Sequence, residues 1–433
     1  MTTWRNWGGN QTAEADRILA PGSLDEVVEL VTAAAAQGRR LKVVGSGHSF
    51  TAIAAPAQDQ LRLDTLSGIV DVDQTRSRVR VLAGTPLHVL NPTLDRLGLA
   101  MPNLGDIDQQ TIVGATSTGT HGTGAGLQGL AASIVGLTLV TGDGSVLAIE
   151  ESQNSGLLPA ARVGLGALGV VTDVTLQLVP SFRLHAVERP EPLAEVLERV
   201  HEFADHNRHF EFYWFPHTDR ALTKRNNVVD ALHPGRPLPR WREQLDDHLL
   251  SNVVFEGVNR VVTRRPSLAP RVNQVSARAL SAREFTDTSY RVFCTERTVR
   301  FTESEYAVPR AAVVPVLQAL RAWIDSTGEN LPFPVEVRFA AADDSWLSTA
   351  YERDNAYIAV HQYHRMDNSR YFAAFEAIAA EHDGRPHWGK LHTLGAGRLR
   401  ELYPRLGDFI TLRDRFDPAR VFANPYLERV LGP

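Results

Sequence analysis

The sequence predicts an α+β protein built from more than one domain, and three observations carry the prediction. Its 433 residues, at ~150 per domain, suffice for two or three domains that each bury a core. The first part, 1–180, follows a capped helix with a short strand and a hairpin. The middle, 181–385, sets aromatic strands such as Phe210-Glu211-Phe212-Tyr213-Trp214-Phe215 among helical stretches around 310–325 and 369–382. The last segment, 386–433, regains the tone of the first, so a C-terminal return to the first domain is expected.

Taken in order, Ser23-Leu24-Asp25-Glu26 is a capping-box sequence, and Val27, Val28, Leu30 and Val31 follow at helical spacing before Gly38. The pattern predicts a helix over 24–37. Arg40-Leu41-Lys42-Val43-Val44 reads as a short strand that runs directly into Gly45-Ser46-Gly47-His48-Ser49-Phe50. Alternation at 69–72 and 78–81 predicts a hairpin, and Thr85-Pro86 opens a helix where proline is favoured. From Gln109 to Gly142 no Asp, Glu, Lys or Arg occurs, while Gly114, Gly119, Gly122, Gly124, Gly126 and Gly129 alternate with Thr111, Thr116, Ser117, Thr118, Thr120 and Thr123. Such a stretch is either a flexible loop or a backbone that comes close to a buried ligand and satisfies it with hydroxyl and N–H groups. A Pro/Arg-rich connection is expected from His233 to Arg240.

Composition excludes several classes. Forty-five Lys and Arg face 50 Asp and Glu, for a formal charge of −5; no whole-chain basic field argues for nucleic acid. With 43% hydrophobic and 22% charged residues the chain is ordinary globular material. One cysteine, Cys294, removes any disulfide framework and fits a reducing, cytoplasmic setting. The N-terminal residues have neither signal- nor transit-peptide character, so the mature chain is expected to start at Met1. No run of about 18 apolar residues occurs, so no transmembrane segment is expected.

Gly164-Leu165-Gly166-Ala167-Leu168-Gly169 matches G-x-G-x-x-G, with Glu188 near the spacing of a ribose-binding acid. That fingerprint needs a helix after it, whereas residues 170–178 alternate as a strand, which argues against a nicotinamide Rossmann site. His361 and His364 have His-x-x-His spacing, but nothing nearby completes a ligand set, and no metal is expected. His201, His206 and His209 read as surface residues. Glu336-Val337-Arg338 puts opposite charges two apart, which on a strand share one face. By spacing alone that pair is equally a solvated surface ion pair.

The glycine turn Gly45-Ser46-Gly47-His48-Ser49, the downstream Gly119-Thr120-His121-Gly122-Thr123-Gly124 and the late Pro386-His387-Trp388-Gly389-Lys390 stand in one order. Together they resemble the sugar-oxidising branch of the vanillyl-alcohol oxidase flavoprotein superfamily, within it the aldonolactone oxidoreductases, with alditol oxidases next. The resemblance covers essentially the whole chain. It implies a two-subdomain FAD-binding domain over 1–180, a substrate-binding cap over 181–385 and a return of 386–433 to the FAD domain. It further implies FAD held by Gly45, Ser46, Gly47, Ser49, Gly105, Thr111, Gly114, Ser117, Gly119, His121, Gly122, Gly169, Val171 and Lys390, and bonded covalently through His48.

The same resemblance implies catalytic roles for Glu336, Arg338, His361 and Lys390. Where the alditol-oxidase pattern has serine, glutamine and threonine facing the polyol, this chain has Asp106, Glu303 and Tyr363. That change favours a lactone ring over an open chain, because a site whose polar groups the wrong ligand leaves unpaired discriminates strongly. The expected activity is oxidation of the C2 hydroxyl of a sugar 1,4-lactone by hydride transfer to flavin N5, with oxygen or another redox acceptor taking the electrons. Oxidation of a polyol at its terminal carbon is the alternative, and a flavin-binding protein without turnover is the rival from outside enzymology. Gly105 lacks the Cβ with which dehydrogenases of the family shield the flavin from oxygen.

Overall fold

The computed structural model describes residues 2–230, 235–239, 254–295 and 297–433. Of the connection expected from His233 to Arg240, His233, Pro234 and Arg240 lie outside the described residues.

The helix Leu24–Ala36 forms as its sequence predicts, burying Val27, Val31 and Ala34, with Ser23 Oγ accepting the Glu26 N–H at 3.2 Å. The reciprocal half of the capping box is shifted by one residue, since the Glu26 carboxylate accepts from Gly22 N–H at 2.8 Å. The strand Leu41–Val44 is an edge of a parallel three-stranded sheet, beside Asp59–Arg62 and then Arg17–Leu19. The expected hairpin is Ile69–Asp73 with Arg78–Leu82, part of a five-stranded antiparallel sheet centred on Val170–Gln177. That central strand follows Gly169 directly, so the G-x-G-x-x-G run opens a strand and not a helix. Glu188 is correspondingly engaged elsewhere, with Arg283 at 2.6 Å.

Eight strands of the middle of the chain form one sheet in the order Arg283–Thr288, Arg183–Pro192, Arg220–Val229, His209–Trp214, Val335–Ala340, Asn355–Tyr363, Phe301–Pro309 and Arg385–Pro386. The pleat divides its residues cleanly. Phe210, Phe212, Trp214, Tyr306, Val308, Val335, Val337, Phe339, Ile358 and Val360 pack in one core with the helices Val313–Thr327 and Ser369–Ala380. Glu211, Tyr213, Glu303, Glu305, Glu336, Arg338 and His361 therefore occupy the alternate face.

The C-terminal helices Ala396–Leu402, Leu406–Phe416 and Pro425–Leu431 share a core with the five-stranded sheet, through Leu399, Phe409 and Val430 against Val79, Leu137 and Leu176. Asn424 fastens this segment: its amide donates to the carbonyls of Ala52, Ile53 and Ala55 at 2.9 to 3.1 Å. Among the described residues no helix is long and apolar enough to cross a membrane.

Candidate active site

Two spaces meet just beyond the strand Leu41–Val44. The first is a cleft walled by Ile53, Val113, Leu139, Leu168 and Val171 and edged by Gly45, Ser46, Gly47, His48, Ser49, Thr111, Gly114, Ser117 and Gly169. Thr111 caps the helix Ile112–Ser117 by accepting Gly114 N–H at 3.2 Å. A Cβ on Gly45 would lie 2.7 Å from Thr111 Oγ1 and 3.7 Å from the Cα of Gly114, so glycine lets these two backbone segments close together.

The second space is a cavity of about 490 Å³ lined by Asp106, Arg297, Glu303, Glu336, Arg338, His361 and Lys390 among others. Ser46, His48, Ser49, Gln110 and Thr118 line both spaces. Its floor is the polar face of the eight-stranded sheet, and two other segments complete it. The Lys390 loop is held along the strand Phe301–Pro309, where His387 N–H donates to Glu305 O at 3.0 Å and Leu391 N–H to Glu303 O at 2.8 Å. The segment after Cys294 lies on the Gly105–Asp106 turn, with Thr295 N–H donating to Asp106 O at 2.9 Å.

Charges at the cavity are paired, with Glu211, Glu303, Glu336 and Arg338 buried and Asp106, Lys224, Arg297 and Lys390 half-buried. Arg338 forms ion pairs with Glu336, with Glu211 at 2.9 Å and with Asp106 at 3.5 Å. Arg297 also pairs with Asp106, and Lys224 reaches Glu211 at 3.3 Å. Lys390 Nζ donates to Glu303 at 2.5 Å. Burial acts to raise the Asp106 carboxyl, yet Arg297 and Arg338 hold it well below the usual carboxylate range. Glu336 goes the other way: burial, reinforced by Asp106 and Glu211 and opposed by Arg338, pushes it up to about 7. Burial lowers His361, whose Nδ1 donates to Pro334 O at 3.1 Å; the neutral ring then offers the lone pair of Nε2, 3.7 Å from Glu303 and 3.8 Å from Glu336. At the junction, burial and then Lys390 pull His48 down to about 4, and Trp7 stacks on its ring at 5.4 Å.

The site residues expected from the sequence converge on these two spaces, with three exceptions, Tyr363, Gly119 and Gly122. Tyr363 does not line the cavity: it packs with Phe50, Phe301 and Phe333, and its hydroxyl donates to Glu256 at 2.7 Å. It shares a face with His361 but lies one pleat repeat further along the strand, past the cavity edge. Gly119 and Gly122 line neither space. Gly119 supplies a left-handed turn at φ +80°, and a Cβ on Gly122 would fall 2.2 Å from Leu104 O, so both serve the path of the backbone. His209, expected at the surface, is fully buried and bonded through Nδ1 to Thr123 O at 2.9 Å. His364 is half-buried and bonded to Arg300 O, so it does not converge with His361.

The sequence reading missed Arg297, Glu211, Tyr213, Lys224 and Glu305. Three of them were reachable by alternation: Glu305 stands two after Glu303, and Glu211 and Tyr213 occupy the polar parity of an aromatic strand. His121, Glu305 and His387 also gather, their ligating atoms within 4.8 Å of one another. His387 Nδ1, however, accepts Gly389 N–H at 3.0 Å and His121 Nδ1 bonds Gly122 O at 2.9 Å, so one nitrogen of each ring is already committed to backbone.

An apolar cleft continuous with a polar cavity fits a flavin dinucleotide. Gln110 Oε1 is buried without a partner at their junction, an acceptor of the kind a flavin ring N–H requires. Comparison with known proteins agrees. Residues 15–150 match the FAD binding domain family, and residues 174–430 match the family described as D-arabinono-1,4-lactone oxidase. L-gulono-1,4-lactone dehydrogenase of Mycobacterium tuberculosis is 45% identical over 430 residues, covering 99% of both chains. L-gulonolactone oxidase of Scyliorhinus torazame is 32% identical over 437 residues, covering 98% of this chain and 97% of the relative. In fold the chain resembles the crystal structure of cholesterol oxidase from B. sterolicum, with a TM-score of 0.82 at 18% identity over 100% of this chain and 96% of that one. The chain therefore belongs to the D-arabinono-1,4-lactone oxidase family of FAD-linked oxidoreductases.

Proposed function

We propose that the protein oxidises the C2 hydroxyl of an aldono-1,4-lactone of the L-gulono type to the 2-keto lactone. The observation that carries the reading is the convergence of Glu336, Arg338, His361 and Lys390 on one buried cavity that opens onto the cleft at His48. Mere storage of a flavin does not require charged groups of both signs there. Bound FAD supplies the two-electron acceptor for the hydride of the carbinol carbon.

The side chains divide the remaining work. Glu336, fixed by Arg338 and by the Tyr213 hydroxyl at 3.1 Å, positions the substrate hydroxyl. His361 Nε2 takes up the hydroxyl proton, since its Nδ1 is committed to Pro334 O. Lys390, kept charged by Glu303 against its burial, provides positive potential for the negative charge that develops during transfer. Asp106 and Glu303 supply acceptors for the ring hydroxyls.

Gly45 to Ser49, Thr111, Gly114, Ser117, Gly169 and Val171 hold the cofactor, and His48 carries it covalently. A ring that stays neutral at physiological pH keeps the free nitrogen lone pair that such a bond needs. Residues 1–180 and 386–433 form the FAD-binding unit and 181–385 the cap. The electrons pass to oxygen or to another redox acceptor, and the free thiol of Cys294 favours a cytoplasmic setting.

The test is anaerobic bleaching of the flavin band near ~450 nm, with L-gulono-1,4-lactone and sorbitol in parallel. Fast bleaching by the lactone alone is expected. Bleaching by sorbitol alone transfers the reading to an alditol oxidase, and bleaching by neither removes it.

A further inference from the structure

Lys42 is the one lysine or arginine lining the cofactor cleft among the described residues, the other ionisable groups there being Asp64 and His48. It stands on the strand that ends in the glycine turn, and it is almost entirely buried. Among the described residues its ammonium meets two carbonyl oxygens, Gly166 O at 3.3 Å and Phe422 O at 3.4 Å, both long for a charged donor. Gly166 itself borders the cleft.

The charges around Lys42 do not compensate its burial. Asp417 of the C-terminal segment is the one carboxylate that raises its pKa, and that carboxylate already accepts Val421 N–H at 2.7 Å and Phe422 N–H at 2.9 Å and feels Arg420. Asp64, across the cleft, is exposed and paired with Arg62. Burial, partly offset by Asp417, accordingly lowers Lys42 to about 7. The pyrophosphate of FAD carries two negative charges, and among the described residues the cleft has no other lysine or arginine to meet them.

We propose that Lys42 is the chain's charged contact for the adenosine diphosphate half of FAD, and that FAD binding is coupled to proton uptake by this side chain. The inference rests on FAD being the cofactor. A group that is half neutral near pH 7 in the free cleft and fully charged beside a phosphate binds a proton as the ligand enters. FAD affinity then falls as pH rises above 7, by about tenfold per pH unit until the bound-state pKa is reached.

The experiment uses the full chain with His48→Ala, so that FAD exchanges, freed of flavin by dialysis and titrated with FAD and with riboflavin, which lacks the phosphates. Calorimetry in buffers of different ionisation enthalpy reads affinity and proton uptake between pH 6.5 and 9. FAD affinity that weakens with pH, with riboflavin affinity unchanged, is expected. Adding Lys42→Arg should abolish the proton uptake while keeping FAD tight at pH 9, and adding Lys42→Met should weaken FAD more than tenfold at pH 7 while sparing riboflavin. FAD binding that is independent of pH in the chain retaining Lys42 overturns the proposal without need of a second substitution. So does Lys42→Met binding FAD as tightly as its parent. If even the chain retaining Lys42 takes up no FAD, the cofactor reading itself fails and this inference with it.

Discussion

Arg338 forms an ion pair with Glu336, the residue two positions before it on the same strand, and both side chains are buried on the face that the strand turns toward the cavity. The pleat makes them neighbours, and the surrounding carboxylates of Glu211 and Asp106 give them unequal tasks. Arg338 is held charged by three acids, while Glu336, crowded by two of them, is pushed up to about 7.

That position predicts a pH profile. A carboxylate that accepts the substrate hydroxyl must be ionised, so kcat/KM should rise with pH through about 7. Glu336→Gln should remove this ascending limb and lower kcat by roughly 10²- to 10⁴-fold. A limb that survives the substitution with its midpoint unchanged would assign the titration to another group.

Arg338→Lys is not conservative here. One ammonium cannot hold three carboxylates in the geometry of a planar fork, so kcat/KM should drop by roughly 10²-fold. Glu336 should also titrate higher, because burial and its acidic neighbours would act with less opposition. The pH profile of the variant reads both effects.

Lys390→Met should slow anaerobic flavin reduction by roughly 10²-fold while leaving FAD bound. Stopped-flow spectroscopy at saturating lactone separates this from weaker substrate binding. An unchanged limiting rate would take Lys390 out of the mechanism.

Gly105 lines the cavity, and a Cβ there would meet His121 O at 3.4 Å and Thr120 Cγ2 at 3.6 Å, so alanine is accommodated with little displacement. Gly105→Ala should slow reoxidation by oxygen at least tenfold, about 1.4 kcal/mol of barrier, with reduction by substrate retained. Mixing the reduced enzyme with aerated buffer measures it; equal reoxidation rates would mean that oxygen reaches the flavin from elsewhere.

Tyr363→Phe should leave KM and kcat within about twofold, because the hydroxyl bonds Glu256 and not the cavity. The loss should appear in stability, at about 1 kcal/mol, read from chemical denaturation. A large rise in KM would return Tyr363 to the substrate site.

How much of this was legible in the sequence follows the range of the interactions. The capped helix Leu24–Ala36, the hairpin, the strand after Gly169 and the pairing of Glu336 with Arg338 on one face all depend on local periodicity and turn chemistry, which the residues themselves carry. The identity of the glycine turn and of the Lys390 motif was likewise readable as a resemblance, because three separated motifs stand in one order.

Other features were decided only by tertiary packing. Nothing in sequence brings Arg297 and Asp106 together across 191 positions, or tells that the aromatic strand His209–Trp214 turns Glu211 onto Arg338 and Tyr213 onto Glu336. Whether Tyr363 faces the cavity depends on where the cavity stops along its strand, which the neighbouring Phe50, Phe301 and Phe333 set. The sequence by itself determined which chemistry is present and on which strand face each charge lies. Tertiary structure alone decided which charges share a buried volume, and burial with unequal neighbours is what drives Glu336 up and Asp106 down.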